Sequence, residues 1–173
     1  MAAHNPNELI AVVDESDNVV GADIRKNVHE KGLLHREASV LILNKNSEIL
    51  LQKRKDNGRF DYSASGHFPL NETYLQGAKR EVKEELGIFA ENIKEILKVK
   101  VLFKYEGGQN NRFITLFEYS DNLRVNDFKI DKEEVDFIKY FKIEEIKSLI
   151  NGREKFSSGF SEVFKAYCRV KGF

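Results

Sequence analysis

The stretch from Gly66 to Ile88 reads GHFPLNETYLQGAKREVKEELGI, and three of its four glutamates, Glu81, Glu84 and Glu85, crowd the end of a helical pattern. Thr73 followed three positions later by Gln76 has the form of a capping box and sets the predicted helix start. Gly87 suits a left-handed terminating residue. Between them, Leu75, Ala78, Val82 and Leu86 make one apolar stripe, predicted to pack on a sheet. At 100° per residue the three glutamates span an arc of roughly 100° beside that stripe, with Lys79 and Lys83 on the far side.

A solvated surface helix does not account for this pattern. Glu81 meets Glu84 and Glu85 at i+3 and i+4, where like charges repel by a few tenths of a kcal/mol each. Glu84 and Glu85 also occupy the last turn, where the helix dipole disfavours acids by roughly 0.3–1 kcal/mol apiece. Only Arg80 offers relief, as an i+4 partner of Glu84. A divalent cation explains the cluster most simply, because carboxylates at these spacings can converge on one point and Mg²⁺ prefers such ligands.

The rest of the chain bounds the reading. Its 173 residues suit one domain, 1–173, with a substantial core, and 28 basic side chains balance 28 acidic ones. A net charge of zero argues against a nucleic-acid polymer as partner. The single cysteine, Cys168, excludes an internal disulfide and fits a reducing compartment. Phe160, Val163, Phe164, Tyr167 and Cys168 recur at helical spacing, which makes this thiol a small core residue. The opening MAAHNPNELI has no charged leader, and no run approaches the 18 or so apolar residues of a membrane span. A soluble, cytoplasmic protein is expected.

Along the chain, ELIAVVD and VVGADIR read as strands around a polar turn, and KNVHEKGLLHRE as a mixed connector. ASVLILN and EILLQKR form a hairpin candidate across KNS. KDNGRFDYSASGHFPLN is predicted to be loop with at most short strand pieces. KEILKVKVLFKY and RFITLFEYS are strands joined by a turn at EGGQNN; EVDFIKYF is a further strand, KIEEIKSLI a short helix and SSGFSEVFKAYCRVKG a closing helix. Interspersed strands, hairpins and helices imply an α/β fold with a mixed sheet flanked by helices.

Gly66, Glu72, the pair Arg80-Glu81, the pair Glu84-Glu85 and Gly87 then stand at the spacing of the Nudix box, which this stretch resembles at every fixed position. Seven such identities arise by chance on the order of once in 10⁹ start positions. The resemblance implies the Nudix α/β/α sandwich and Mg²⁺-dependent hydrolysis of a small-molecule diphosphate, such as a nucleoside diphosphate linked to another group, with Mn²⁺ as a possible substitute. It assigns the metal to Glu81, Glu85 and Glu84, with Gly66 contributing to that site from the backbone. Glu84 is ligand or base, Arg80 orients the glutamates, and Glu72 braces the loop. Glu134, ahead of a late strand, is the candidate general base in preference to Glu133. Among Lys53, Arg54, Lys55 and Arg59, Arg54 is the first choice to bind substrate phosphate and Lys53 a weaker companion. His67 is a further substrate-contact candidate. An exposed edge in a mixed sheet makes a homodimer plausible.

The likeness extends over roughly residues 8–142 to the branch that contains isopentenyl-diphosphate isomerase and its hydrolase relatives. That isomerase needs a cysteine before its Gly-His pair, and here Ser65 precedes Gly66-His67. A serine hydroxyl is a far poorer acid or base near neutral pH than a thiol. The isomerase's box also normally lacks part of the acidic set that is complete here. Its metal site joins three histidines to two later acids; His29, His35 and His67 match the histidines, but Asn110 or Asn111 and Arg112 stand where the acids are expected. A non-catalytic ligand-sensing Nudix domain would have lost box glutamates, and this chain has lost none. The resemblance therefore favours a hydrolase.

Overall fold

The computed structural model describes residues 7–105 and 108–173. The first six residues of the opening stretch, and positions 106–107 of the predicted EGGQNN turn, lie outside the described residues. Strands β1 (Leu9–Val13) and β2 (Val19–Ile24) pair antiparallel as expected. Their turn is held by Asp14, whose Oδ1 accepts from the backbone N–H groups of Ser16 and Asn18. The connector that follows contains a helix the sequence did not announce, α1 (Arg25–Lys31), ended by Gly32 at φ 63°. It is two turns long, lacks a side-chain cap and buries only Val28, so it carries almost no periodic signal.

Strand β3 (His35–Leu43) pairs antiparallel with β4 (Ile49–Arg54) across Asn44–Glu48, the predicted hairpin. The loop-like region after β4 supplies only β5 (Phe60–Asp61) and β6 (Ala64–His67), and β6 joins the sheet beside β3. Helix α2 (Tyr74–Leu86) follows. Strands β7 (Lys94–Tyr105) and β8 (Gly108–Ser120) pair antiparallel, and β8 runs parallel to β3 from His35↔Arg112 to Leu43↔Ser120. Strand β8 starts at Gly108, so part of the predicted turn is strand. Strand β9 (Val135–Phe141) lies against β4, and helices α3 (Ile143–Asn151) and α4 (Phe160–Lys171) close the chain.

Alternation along β3 explains the layers. Val40 and Ile42 face a cluster with Ala78, Val82 and Leu86 of α2, while Leu41 and Leu43 face one with Ile146 of α3 and Val163, Phe164 and Tyr167 of α4. A strand buried on both faces needs apolar side chains at successive positions, which ASVLILN provides. The result is the α/β/α sandwich with a mixed sheet. Cys168 is buried on the α4 side, as its spacing implied. No helix among the described residues is long and apolar enough to cross a membrane.

Candidate active site

Helix α2 begins and ends where its sequence says. Thr73 Oγ1 accepts from Gln76 N–H at 3.3 Å, Thr73 N–H donates to Gln76 Oε1 at 2.8 Å, and Gly87 adopts φ 69° with its N–H bonded to Lys83 O. Its buried face is not the predicted stripe. Ala78, Val82 and Leu86 are fully buried, but Leu75 in the first turn is 42% exposed. Buried positions instead fall in pairs, Gly77-Ala78, Glu81-Val82 and Glu85-Leu86, so the face widens to take in two of the glutamates. Glu81 and Glu85 are 8% and 3% exposed, whereas Glu84 points outward.

Three sets of contacts fix these acids. The backbone of β6 passes so close to Glu81 that a Cβ on Gly66 would collide with the Glu81 carboxylate. Glu85 Oε2 accepts from Ser65 N–H at 3.0 Å and from Gln52 Nε2 at 3.1 Å. Arg80 donates to Glu72 at 3.0 Å, to Glu81 at 2.7 Å, to Glu84 at 3.0 Å and to the His67 carbonyl at 3.1 Å, joining helix, loop and β6. Burial pushes the Glu81 carboxyl up to about 7, only partly offset by Arg80, and pushes Glu85 well above the usual carboxylate range, with Glu81 adding to it. Two carboxylates held dry and side by side are costly unless protonated or given a cation.

These residues line one cavity of about 950 Å³. Among the described residues ten carboxylates face it, Glu8, Glu81, Glu84, Glu85 and Glu134 included, against six cationic side chains. Glu134 reaches the cavity and Glu133 does not; burial raises the Glu134 carboxyl, with Asp131 adding to the effect. Arg54 also reaches it, bonded to Asp61 at 3.3 Å and Asp56 at 3.1 Å. Lys53 does not. One residue along β4 the side chain turns to the other face, where Lys53 pairs with Glu154 at 3.1 Å and lies over the Phe60 ring. The same alternation brings Gln52 to the site beside Arg54, a residue nothing in its own chemistry singled out; counting back two positions from Arg54 would have found it.

His29, His35 and His67 come together with ligand-capable atoms within 4.8 Å of one another. His35 Nδ1 donates to Leu33 O at 2.9 Å, so its Nε2 carries a lone pair, which receives the Nε2–H of His67 at 2.9 Å. His67 Nδ1 is then an unprotonated, buried nitrogen without a partner among the described residues. Burial lowers all three imidazoles, His29 to about 4 and His35 to about 3, so they are neutral. Beside them, Arg112 pairs with the buried Glu37 at 2.7 Å, and its guanidinium lies where the sequence comparison had sought an acid. Strand alternation also resolves Asn110 from Asn111: Asn110 lines the cavity with Arg112, while Asn111 bonds to Gly32 O at 3.0 Å. The triad has the donors for a transition metal, and its neighbouring guanidinium opposes one.

The donor set on α2 fits a hard divalent cation. Oxygen ligands are present, and the buried acids lack positive charge equal to their own.

Known proteins match this arrangement. The Nudix domain pattern covers residues 33–162. Human isopentenyl-diphosphate delta-isomerase 2 is 40% identical over an alignment of 105 residues that covers 50% of this chain and 46% of that protein, so the match spans about half of the relative's length. An uncharacterised Nudix hydrolase of Clostridium acetobutylicum is 28% identical over 157 residues, 84% of this chain and 75% of its own. A crystal structure from Deinococcus radiodurans superposes with a TM-score of 0.75 at 18% identity, covering 92% of this chain and 98% of that one, a likeness of fold. With the family pattern spanning most of the chain and the whole acidic helix, the protein belongs to the Nudix domain family.

Proposed function

We propose that the protein hydrolyses the phosphoanhydride bond of a small diphosphate, a nucleoside diphosphate linked to another group or a related compound, with Mg²⁺ or Mn²⁺ bound at the end of α2. The observation that carries this reading is the buried pair Glu81 and Glu85, set in a cavity where, among the described residues, ten carboxylates face six cations. Unaided, such a cavity repels a diphosphate. A divalent ion, once bound, would reverse that sign and would supply charge neutralisation on the phosphates and a more acidic water.

The chain's own groups divide the remaining work. Glu81, Glu84 and Glu85 would hold the ion, with the Gly66 backbone beside them. Arg80 keeps those carboxylates oriented by bonding to two of them and to Glu72. Glu134, its carboxyl raised by burial, accepts a proton from the attacking water. Arg54 supplies positive charge to phosphate oxygens, and His67 lines the cavity from the end of β6. The test is release of phosphate or a monophosphate product from a panel of diphosphates with Mg²⁺, abolished by EDTA and restored by excess Mg²⁺; no release from any compound sinks the proposal.

The isomerase identity and the histidine triad favour one second reading, double-bond migration in isopentenyl diphosphate. Ser65 opposes it, since an ordinary hydroxyl titrates far from neutrality. Solvent-hydrogen exchange into isopentenyl diphosphate is the discriminating assay, and exchange by the wild-type protein would establish the isomerase.

A further inference from the structure

The cavity wall carries information about what is attached to the diphosphate. Ligand sites are usually lined mainly by hydrophobic and aromatic side chains, and this one is not. Among the described residues Leu9 and Pro69 are its aliphatic contributors and Tyr105, half exposed, its one six-membered aromatic ring. The eight residues outside the described set, MAAHNP and EG, contain no Phe, Tyr or Trp. The imidazoles of His29 and His67 are packed on each other and on His35, with centroids 4.7–5.3 Å apart. A nucleobase would forgo the stacking that is worth roughly 1–3 kcal/mol per base elsewhere. A prenyl chain would lie against charged groups and gain little from leaving water.

One cation of the polar wall has no carboxylate partner among the described residues. Arg112 is paired with Glu37, Arg80 with Glu72, Glu81 and Glu84, Arg54 with Asp61 and Asp56, and Lys26 lies 3.8 Å from Glu30. Arg25 lies 3.8 Å from Glu8. The Arg59 guanidinium, half-buried at the cavity wall with Asn57, Ser157 and Ser158, has no carboxylate partner among the described residues. A planar guanidinium without a carboxylate is suited to bidentate capture of a phosphate.

We propose that the group carried on the diphosphate is small, polyhydroxylated and itself phosphorylated, of the sugar-phosphate or polyol-phosphate class, and that Arg59 binds its phosphate. This rests on the diphosphate hydrolysis proposed above. Hydroxyls match the serine and asparagine wall, and the extra phosphate answers Arg59.

The experiment compares kcat/KM with Mg²⁺ for a phosphorylated pentose diphosphate, the same sugar diphosphate without its extra phosphate, a nucleotide sugar and a prenyl diphosphate. The phosphorylated sugar is expected to exceed each of the others by at least about tenfold. Arg59→Gln should raise KM for it by about five- to twentyfold with kcat within about twofold, Arg59→Lys should restore part of that loss, and neither should alter KM for the unphosphorylated sugar. A smaller preference, a preference for the nucleotide or prenyl compound, or an unchanged KM in Arg59→Gln overturns this inference alone. Hydrolysis of none of the four, nor of any other diphosphate, overturns the hydrolase reading beneath it.

Discussion

Gly66 and Glu81 occupy one side chain's worth of space: the carboxylate of Glu81 lies where a Cβ on Gly66 would be. Strand β6 can therefore approach α2 only because residue 66 has no side chain, and the glutamate is pinned against the backbone. Gly66→Ala must displace Glu81 from the site. The expected result is a loss of at least about a hundredfold in kcat/KM, with a stability cost of about 1–3 kcal/mol from overpacking. Steady-state kinetics beside denaturant melts would check both, and full activity in this variant would remove Glu81 from the metal site.

Glu85 separates stability from function. It is buried with its carboxyl well above the usual range, so without a cation the fold bears the cost of holding that group protonated or of burying its charge. Glu85→Gln removes the charge and retains the shape and one acceptor for the Ser65 N–H and Gln52 amide. Turnover should fall by at least about a hundredfold, about 2.7 kcal/mol of barrier, while the metal-free melting temperature holds or rises. Glu84→Gln should lower turnover comparably, with little change in melting because Glu84 is exposed.

Stability without metal should depend on pH from both sides. Glu81 titrates near 7 in the fold against an ordinary 4.5, so the folded protein holds that proton more tightly; its contribution is complete below pH 4.5 and is lost as pH rises through 7. His29 and His35 are depressed to about 4 and about 3 from 6.5, so their contribution is present above pH 6.5 and is lost as pH falls toward those values. In EDTA the melting temperature should peak on the mildly acidic side of neutrality. Mg²⁺ should raise it far more at pH 8 than at pH 5, since ionised Glu81 and Glu85 bind the cation and protonated ones do not. Scanning calorimetry at several pH values gives the answer, and a Mg²⁺ effect independent of pH would contradict the carboxylate site.

Legibility in the sequence followed local physics. Helix α2 announces itself because Thr73, Gln76 and Gly87 act within a few residues of one another, and β3 because an unbroken apolar run is what a doubly buried strand needs. Helix α1 was silent because its seven residues are held by their neighbours rather than by a cap or stripe. Within the site, residues tied to the box pattern were legible, and those delivered by strand pairing were not. Gln52 reaches Glu85 across 33 residues of chain, and Lys53 misses the cavity through a one-residue alternation that only the sheet reveals. Arg112 was noticed as a missing acid, but its partner Glu37 depends on the parallel β3–β8 register, which no local signal encodes.

That pair supports a final prediction. Arg112 and Glu37 are 2% and 7% exposed and form an ion pair, 2.7 Å apart, beside the histidine triad. Breaking a buried pair by removing one partner leaves the other charge stranded, which typically costs about 3–5 kcal/mol, whereas replacing both with apolar groups is often neutral. Arg112→Met should therefore destabilise the protein strongly, and adding Glu37→Met should recover most of the loss in urea melts. Burial already raises the Glu37 carboxyl, with Arg112 the main opposing influence, so the single Arg112→Met variant should also be rescued by acid, which protonates the orphan. If the double variant melts no higher than the single one, the guanidinium is held for its bonds to Ser158 rather than for its charge.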